Sequence, residues 1–253
     1  VRRFAGAGPL VAVDLDAGPL GALVDELTDA GLAVARVVGD ITDPDTVRQV
    51  ADVVAARGRL GRLVHAAGLS PTMGSWHEVL SVNLVGTVRV LDAVEPFVTS
   101  GSVAVLIASQ AGHFVPAPPP ELAEALADPL ADDFLDAAAA AGIEEPGGAY
   151  AWSKWAVRRL AVERAPAWGA LGGRIVSLSP GIIATPMGRK EMAEQPMMAG
   201  MIDVSPIRRM GTADEIAAAV DFLCSPAASF VTGTDLLVDG GSTEQVRGQL
   251  GVG

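Results

Sequence analysis

Short apolar runs, each closed by polar or small residues, alternate along this chain with longer stretches that are apolar on one face only. Leu10–Asp14 (LVAVD) reads as a buried parallel strand ending in an acid. Pro19–Ala30 follows as a helix that Gly31 stops, and Ala33–Val38 as a second strand ending at Gly39-Asp40. Asp43 and Pro44 supply an N-cap and a proline for the first helical turn. Val47, Val50, Ala51 and Val54 then recur at i, i+3, i+4 and i+7, one buried helical face. Arg62–Ala66 is the next strand and opens into Ala67-Gly68, and one long helix is predicted from Trp76 to Phe97. Val103–Ala108 is an uninterrupted apolar strand, which calls for cover on both faces. Arg174–Ser179 runs as a strand into Pro180-Gly181, and Thr212-Ala213-Asp214-Glu215 carries the capping-box pattern of a helix start. Asp235–Val238 is a final strand, closed by Asp239-Gly240-Gly241. Strands and helices alternating at this spacing predict an α/β fold with a doubly wound parallel sheet. No internal repeat or shift in composition marks a second domain.

Two stretches interrupt the alternation. From about residue 114, and most clearly from Pro116, to Gly148 the chain is proline-rich, then acidic and alanine-rich, then glycine-rich. This reads as one or two short helices inserted ahead of the helix that contains Tyr150. Met187–Met201 is a methionine-rich loop or helix, with Met192, Met197 and Met198 between its ends. Methionine supplies adaptable apolar surface, so this segment and the insertion are expected to form a substrate pocket and its lid, against the plainer reading of packing or a subunit contact.

Composition narrows the classes of function. Half of the 253 residues are apolar and only 4% aromatic, so the core is built from Ala, Val, Leu and Ile. No apolar run approaches the ~20 residues of a membrane span, and no secretory signal is visible. The net charge of −12 argues against nucleic acid or an anionic membrane as partner. Three scattered histidines and one cysteine have no metal-ligand spacing, so no metal is expected. The single cysteine, Cys224, excludes an internal disulfide and fits a cytoplasmic location.

The chemistry centres on Tyr150 and Lys154. The only tyrosine stands four residues before a lysine, which on a helix puts both side chains on one face. An ammonium favours the phenolate and is expected to draw its pKa down from ~10 towards the range of a general acid or base. Alone, such a pair is also what an ordinary helix face presents. In a doubly wound sheet, however, ligands lie beyond the carboxyl ends of the strands. Asp14, Asp40, Ala66 to Gly68, Ser109 and Pro180 to Thr185 all follow strand ends, and Asp14 is suited to accept hydrogen bonds from a ribose diol.

Taken as an ordered set, these residues resemble the short-chain dehydrogenase/reductase family over nearly the whole chain. Tyr150 and Lys154 match its Tyr-x-x-x-Lys, Ser109 in IASQAG its substrate-contacting serine, and Asn83 in SVNLVGT the helix asparagine of its tetrad. His65-Ala66-Ala67-Gly68 stands where the family has Asn-Asn-Ala-Gly. Asp40-Ile41 matches the pair at the adenine, and Pro180-Gly181-Ile182-Ile183-Ala184-Thr185 the loop that holds the nicotinamide carboxamide and phosphates. The long connection from Ser109 to Tyr150, with GGAYAWSKWAV and SPAASFVTGTDLLVDGG, is similar to the bacterial 3α-hydroxysteroid dehydrogenase/carbonyl reductase branch.

The resemblance implies a Rossmann-like fold and an NAD-dependent oxidoreductase that interconverts a secondary alcohol and a ketone, with a bulky alicyclic or steroid-like substrate. Tyr150 would be the acid, Ser109 would hold the carbonyl oxygen, Lys154 would lower the tyrosine pKa and hold the nicotinamide ribose, and Asn83 would anchor a water. Leu15 after Asp14, where an arginine would suit a 2′-phosphate, favours NAD over NADP. A homodimer or homotetramer is implied as well. One departure matters: the family's opening strand and its Thr-Gly-x-x-x-Gly-x-Gly loop have no counterpart here. Gly6-Ala7-Gly8 precedes a strand instead of following one, and Val1–Ala5 reads as the end of the helix after that loop. A longer natural protein, or a gap at the sheet centre filled by some other segment, is therefore expected. The rival readings are a binding or regulatory protein on this scaffold and an epimerase or dehydratase.

Overall fold

A computed structural model describes residues 1–195 and 197–250. After a 3-10 turn at Ala5–Ala7 come β1 (Leu10–Asp14), α1 (Ala17–Asp29), β2 (Val34–Val38), α2 (Pro44–Ala55) and β3 (Leu60–His65). Asp43 caps α2 as expected, its side chain accepting from the Asp45 amide at 3.0 Å. The long helix expected from Trp76 to Phe97 is composite: α3 (Trp76–Leu80), a π-helical segment at Ser81–Gly86, α4 (Thr87–Val94) and a closing 3-10 turn. The widened segment carries Asn83, and such bulges concentrate at functional sites.

β4 (Val98–Ile107) begins earlier than its apolar run, because its polar first residues Thr99 and Ser100 pass over the exposed end of the sheet. The insertion holds α5 (Pro120–Ala127) and α6 (Phe134–Ala140), whose Leu122, Leu126, Phe134 and Ala138 join the main core. Then follow α7 (Pro146–Ala170), β5 (Arg174–Pro180), α8 (Pro186–Glu194), α9 (Met197–Val204), α10 (Ala213–Cys224), β6 (Asp235–Val238) and α11 (Ser242–Leu250). The capping box at α10 forms as read, with Thr212 and Glu215 exchanging side-chain and backbone hydrogen bonds.

All strand pairs are parallel, with helices covering both faces. The sheet comes in two pieces, a β1-β2 pair and a four-stranded β3-β4-β5-β6 piece. Among the described residues no strand lies on the open edges of β1 and β3, and the segment expected to fill a gap at the sheet centre is not found. The pieces share cores nonetheless: Val13 of β1 and Leu63 of β3 pack against the buried Ile41, Val47 and Val90. The central strands β4 and β5 bury every residue from Ser102 to Leu106 and from Ile175 to Ser179, which makes the ends of these strands a rigid platform.

Candidate active site

The platform ends in Ser109, Tyr150, Lys154 and Asn83, which meet between β4, α7 and the π-helical segment. α7 starts with Pro146 in its first turn and presents Tyr150 and Lys154 on one face, as their spacing requires. The Lys154 ammonium is buried, lies 5.8 Å from the centroid of the Tyr150 ring, and donates to the Ile107 carbonyl at 3.0 Å. Burial without a counter-ion pulls its pKa down to about 8.

Tyr150 departs from expectation. Its phenol is pushed up to about 12, chiefly by burial, with a hydrogen bond to Ser109 offsetting part of the rise and the charge of Glu191 adding to it. The lysine was expected to draw the phenol down. Burial outweighs it, because the ammonium lies near the ring rather than on the oxygen and is itself desolvated.

Asn83 is held rigidly. Its side chain accepts from the Leu69 amide at 2.7 Å and donates to the Leu69 carbonyl at 2.9 Å, with Ser153 Oγ 3.3 Å away. Gly68 lies between the two polar groups: a Cβ there would stand 3.0 Å from Asn83 Oδ1 and 3.4 Å from Lys154 Nζ. Behind it, Thr87 donates to the Asn83 carbonyl at 2.7 Å and is 2.8 Å from His65 Nε2, so the neutral ring donates to Thr87 from Nε2. Burial, helped by the Lys154 charge, drops the His65 pKa to about 4 and keeps it neutral. His65, which stands where the family has asparagine, is thus joined through Thr87 to the Asn83 backbone.

Asp14 ends β1 in an exposed position, one carboxylate oxygen accepting from the Asp16 amide at 3.0 Å. Asp40 accepts from the Thr42 amide at 2.8 Å, while Ile41 is buried against Gly86, where a Cβ would collide with it. Ala66 and Ala67 are exposed. Pro180 ends β5, Gly181 leaves no room for a side chain beside Asp239, Ile183 bridges to Gly211, and Thr185 caps α8 by accepting from the Gly188 amide at 3.0 Å. The structure does not join Asp14 and Asp40 to the Tyr150 cluster; they stand at the ends of the separate β1-β2 piece.

Sequence reasoning missed Glu191 and Ser70. Ser70 is almost fully buried near the Glu191 carboxylate, its hydroxyl 3.2 Å from Thr72 Oγ1, while Lys190 donates to the Thr72 carbonyl at 3.3 Å. α8 therefore reaches from the β5 loop to the loop after β3. The methionines of this region are exposed or half-buried, Met197 at 76%.

Residues 1–118 match the family model described as short chain dehydrogenase, and residues 135–243 the one described as Enoyl-(Acyl carrier protein) reductase. The galactitol 2-dehydrogenase (L-tagatose-forming) of Cereibacter sphaeroides is 32% identical over 96% of this chain and 88% of its own. This chain belongs to the short-chain dehydrogenase/reductase family. The 3-alpha-hydroxysteroid dehydrogenase/carbonyl reductase of Comamonas testosteroni is 35% identical over 84% of this chain and 85% of its own. The 3-alpha-hydroxysteroid dehydrogenase of Pseudomonas sp. B-0831, solved with NADH, superposes with a TM-score of 0.74 at 29% identity, covering 95% of this chain and 99% of its own. The Rossmann-like architecture is that of the family. Among the described residues, no helix is long and apolar enough to cross a membrane.

Proposed function

We propose that the protein is an NAD-dependent oxidoreductase interconverting a secondary alcohol and a ketone, with Tyr150, Lys154, Ser109 and Asn83 as its working groups. The grouping of Lys154 and Ser109 beside Tyr150, with Asn83 and Lys154 both against Gly68, is the observation that carries this reading. In reduction, Ser109 holds the carbonyl oxygen and stabilises its growing charge, and Tyr150 gives its proton to that oxygen. At about 12 the phenol is protonated at neutral pH but is a weak acid, so its donation relies on the negative charge that grows on the substrate oxygen and on the ammonium beside it. Lys154 stays charged beside the ring, and Asn83 fixes the segment next to it and would anchor a water leading from Lys154 to solvent.

The residues present fit a nicotinamide cofactor at both ends. A buried ammonium with donors to spare beyond Ile107 suits a ribose diol, and the exposed Asp14 carboxylate suits the adenosine ribose and disfavours a 2′-phosphate. Asp40 and Ile41 would flank the adenine; Ala66, Ala67, Gly68, Pro180, Gly181, Ile183 and Thr185 would line the remainder. When bound, the nicotinamide supplies or accepts the hydride.

The substrate has two readings. The insertion and the apolar methionines support a bulky alicyclic or steroid-like substrate, in keeping with the hydroxysteroid dehydrogenases among the relatives. The Glu191 carboxylate close to Tyr150 favours a polyol, whose neighbouring hydroxyls it would accept from, as the galactitol enzyme's substrate would offer. A panel of cyclic, steroidal and acyclic polyhydroxy alcohols, followed by reduced-cofactor absorbance, tests both. Turnover confined to one class selects it, and no turnover on any alcohol or ketone counts against the enzyme reading. The fully exposed Phe230 and the exposed Phe222 support a homo-oligomer, and the lone buried Cys224 supports a cytoplasmic location.

A further inference from the structure

Ser109 opens a 3-10 turn, Gln110–His113, at the end of β4, and its hydroxyl accepts from the Ala111 amide at 3.2 Å. Such a turn is intrinsically weak, with poor hydrogen-bond geometry and no neighbouring turns to support it. Here it is tied down at every residue that offers a handle. Gln110 accepts from Ser242 Oγ at 2.9 Å. Gly112 presses so close to α7 that a Cβ would lie 2.6 Å from the Trp155 amide nitrogen, and its carbonyl accepts from Arg158 Nη1 at 2.7 Å. His113 Nε2 donates to Asp235 Oδ2 at 2.9 Å.

Asp235, the first residue of β6, is the hub of these ties. Besides His113 it accepts from Ser177 Oγ at 2.6 Å and Ser179 Oγ at 3.0 Å, and the Arg158 guanidinium lies 3.4 Å away. The carboxylate and the imidazole are about 10% exposed. Burial pushes the Asp235 pKa up, but the bonds from His113, Ser177 and Ser179 and the charge of Arg158 more than offset it and leave it lowered. A buried charge with this many partners makes a stiff mount.

We propose that Asp235 is a positioning residue for the reaction: through His113 and Arg158 it holds the turn that sets the Ser109 hydroxyl against Tyr150. The inference rests on the reading of Ser109 as the group that holds the substrate oxygen. A misplacement on the order of 1 Å of such a group costs up to ~100-fold in rate, so a loosened mount is felt in turnover before it is felt in binding.

The test compares the wild type with Asp235→Asn, His113→Ala and His113→Gln. Hydrogen exchange of the segment 108–114, kcat and KM for an alcohol that the wild type oxidises, and NADH affinity by fluorescence are read for each. Asp235→Asn and His113→Ala are expected to speed exchange in the turn and lower kcat about tenfold or more, with KM and NADH affinity within about twofold. His113→Gln, whose amide nitrogen reaches where Nε2 stands, is expected to restore most of the rate. Unchanged exchange in the turn overturns the proposal whatever the turnover. Faster exchange with kcat within twofold of an active wild type overturns it too, as does an equal loss in His113→Gln, since the cluster would then serve stability alone. A wild type inactive on every alcohol is a failure of the enzyme reading, and the hold of Asp235 on the turn is then judged by exchange.

Discussion

The Lys154 ammonium lies 5.8 Å from the centroid of the Tyr150 ring and points its hydrogen bond at the Ile107 carbonyl. A buried cation is thus held beside a partly buried tyrosine, with no carboxylate paired to it among the described residues. Burial pulls the lysine down to about 8 and pushes the tyrosine up to about 12. The pair is a preorganised site in which stability is given up for function.

Lys154→Met should therefore stabilise the protein while abolishing turnover. The folded pKa lies below the unfolded value of 10.5, so below pH 8 both states hold the proton and the folded state bears the full cost of the buried charge. Between pH 8 and 10.5 the unfolded chain binds more protons, and wild-type stability rises with pH. Denaturant melts should show Lys154→Met ahead by about 1–3 kcal/mol at pH 7, with the difference closing towards pH 10.5. A destabilised variant at pH 7 would mean that the ammonium is better solvated than its surroundings indicate.

His65 acts in the same sense at lower pH. Its folded pKa of about 4 lies below the ordinary 6.5, so its contribution is complete above pH 6.5 and is lost as pH falls towards 4. His65→Asn, the residue that the family carries there, should flatten this acid limb, removing about 3 kcal/mol of pH-dependent change between pH 6.5 and 4. Parallel acid limbs in wild type and variant would show that the imidazole is not buried neutral.

Much of this was legible in the chain. Asp235–Val238 and Leu10–Asp14 form strands with the bounds that their apolar runs indicate, and Tyr150 and Lys154 share a face because helical geometry allows nothing else. What periodicity cannot convey is pairing and burial. It marks β1 and β3 as strands, yet leaves open that they stand in separate sheet pieces. It reads Trp76 to Phe97 as one helix, because a π-helical segment keeps the apolar face and shifts only the backbone around Asn83. Spacing named the neighbours of Tyr150, but the sign of its pKa shift depends on how much water the fold removes. Glu191 sits in an excursion without period and carried no signal.

Cofactor preference rests on Asp14. Its exposed carboxylate, followed by Leu15, should make kcat/KM for NAD exceed that for NADP, and Asp14→Ser should lower the NAD value about tenfold and narrow the gap. Equal or better turnover of the wild type with NADP would reverse the assignment.

The central claim is that Tyr150 moves the proton at the substrate oxygen, and Tyr150→Phe tests it most directly. The variant removes one oxygen from the only tyrosine in the chain and leaves Lys154 in place. Turnover and NADH fluorescence titration are measured side by side on the two proteins. Turnover should fall at least ~100-fold, the scale of lost general acid catalysis, while NADH affinity stays within about threefold. A phenylalanine variant that keeps most of the wild-type rate would contradict the account.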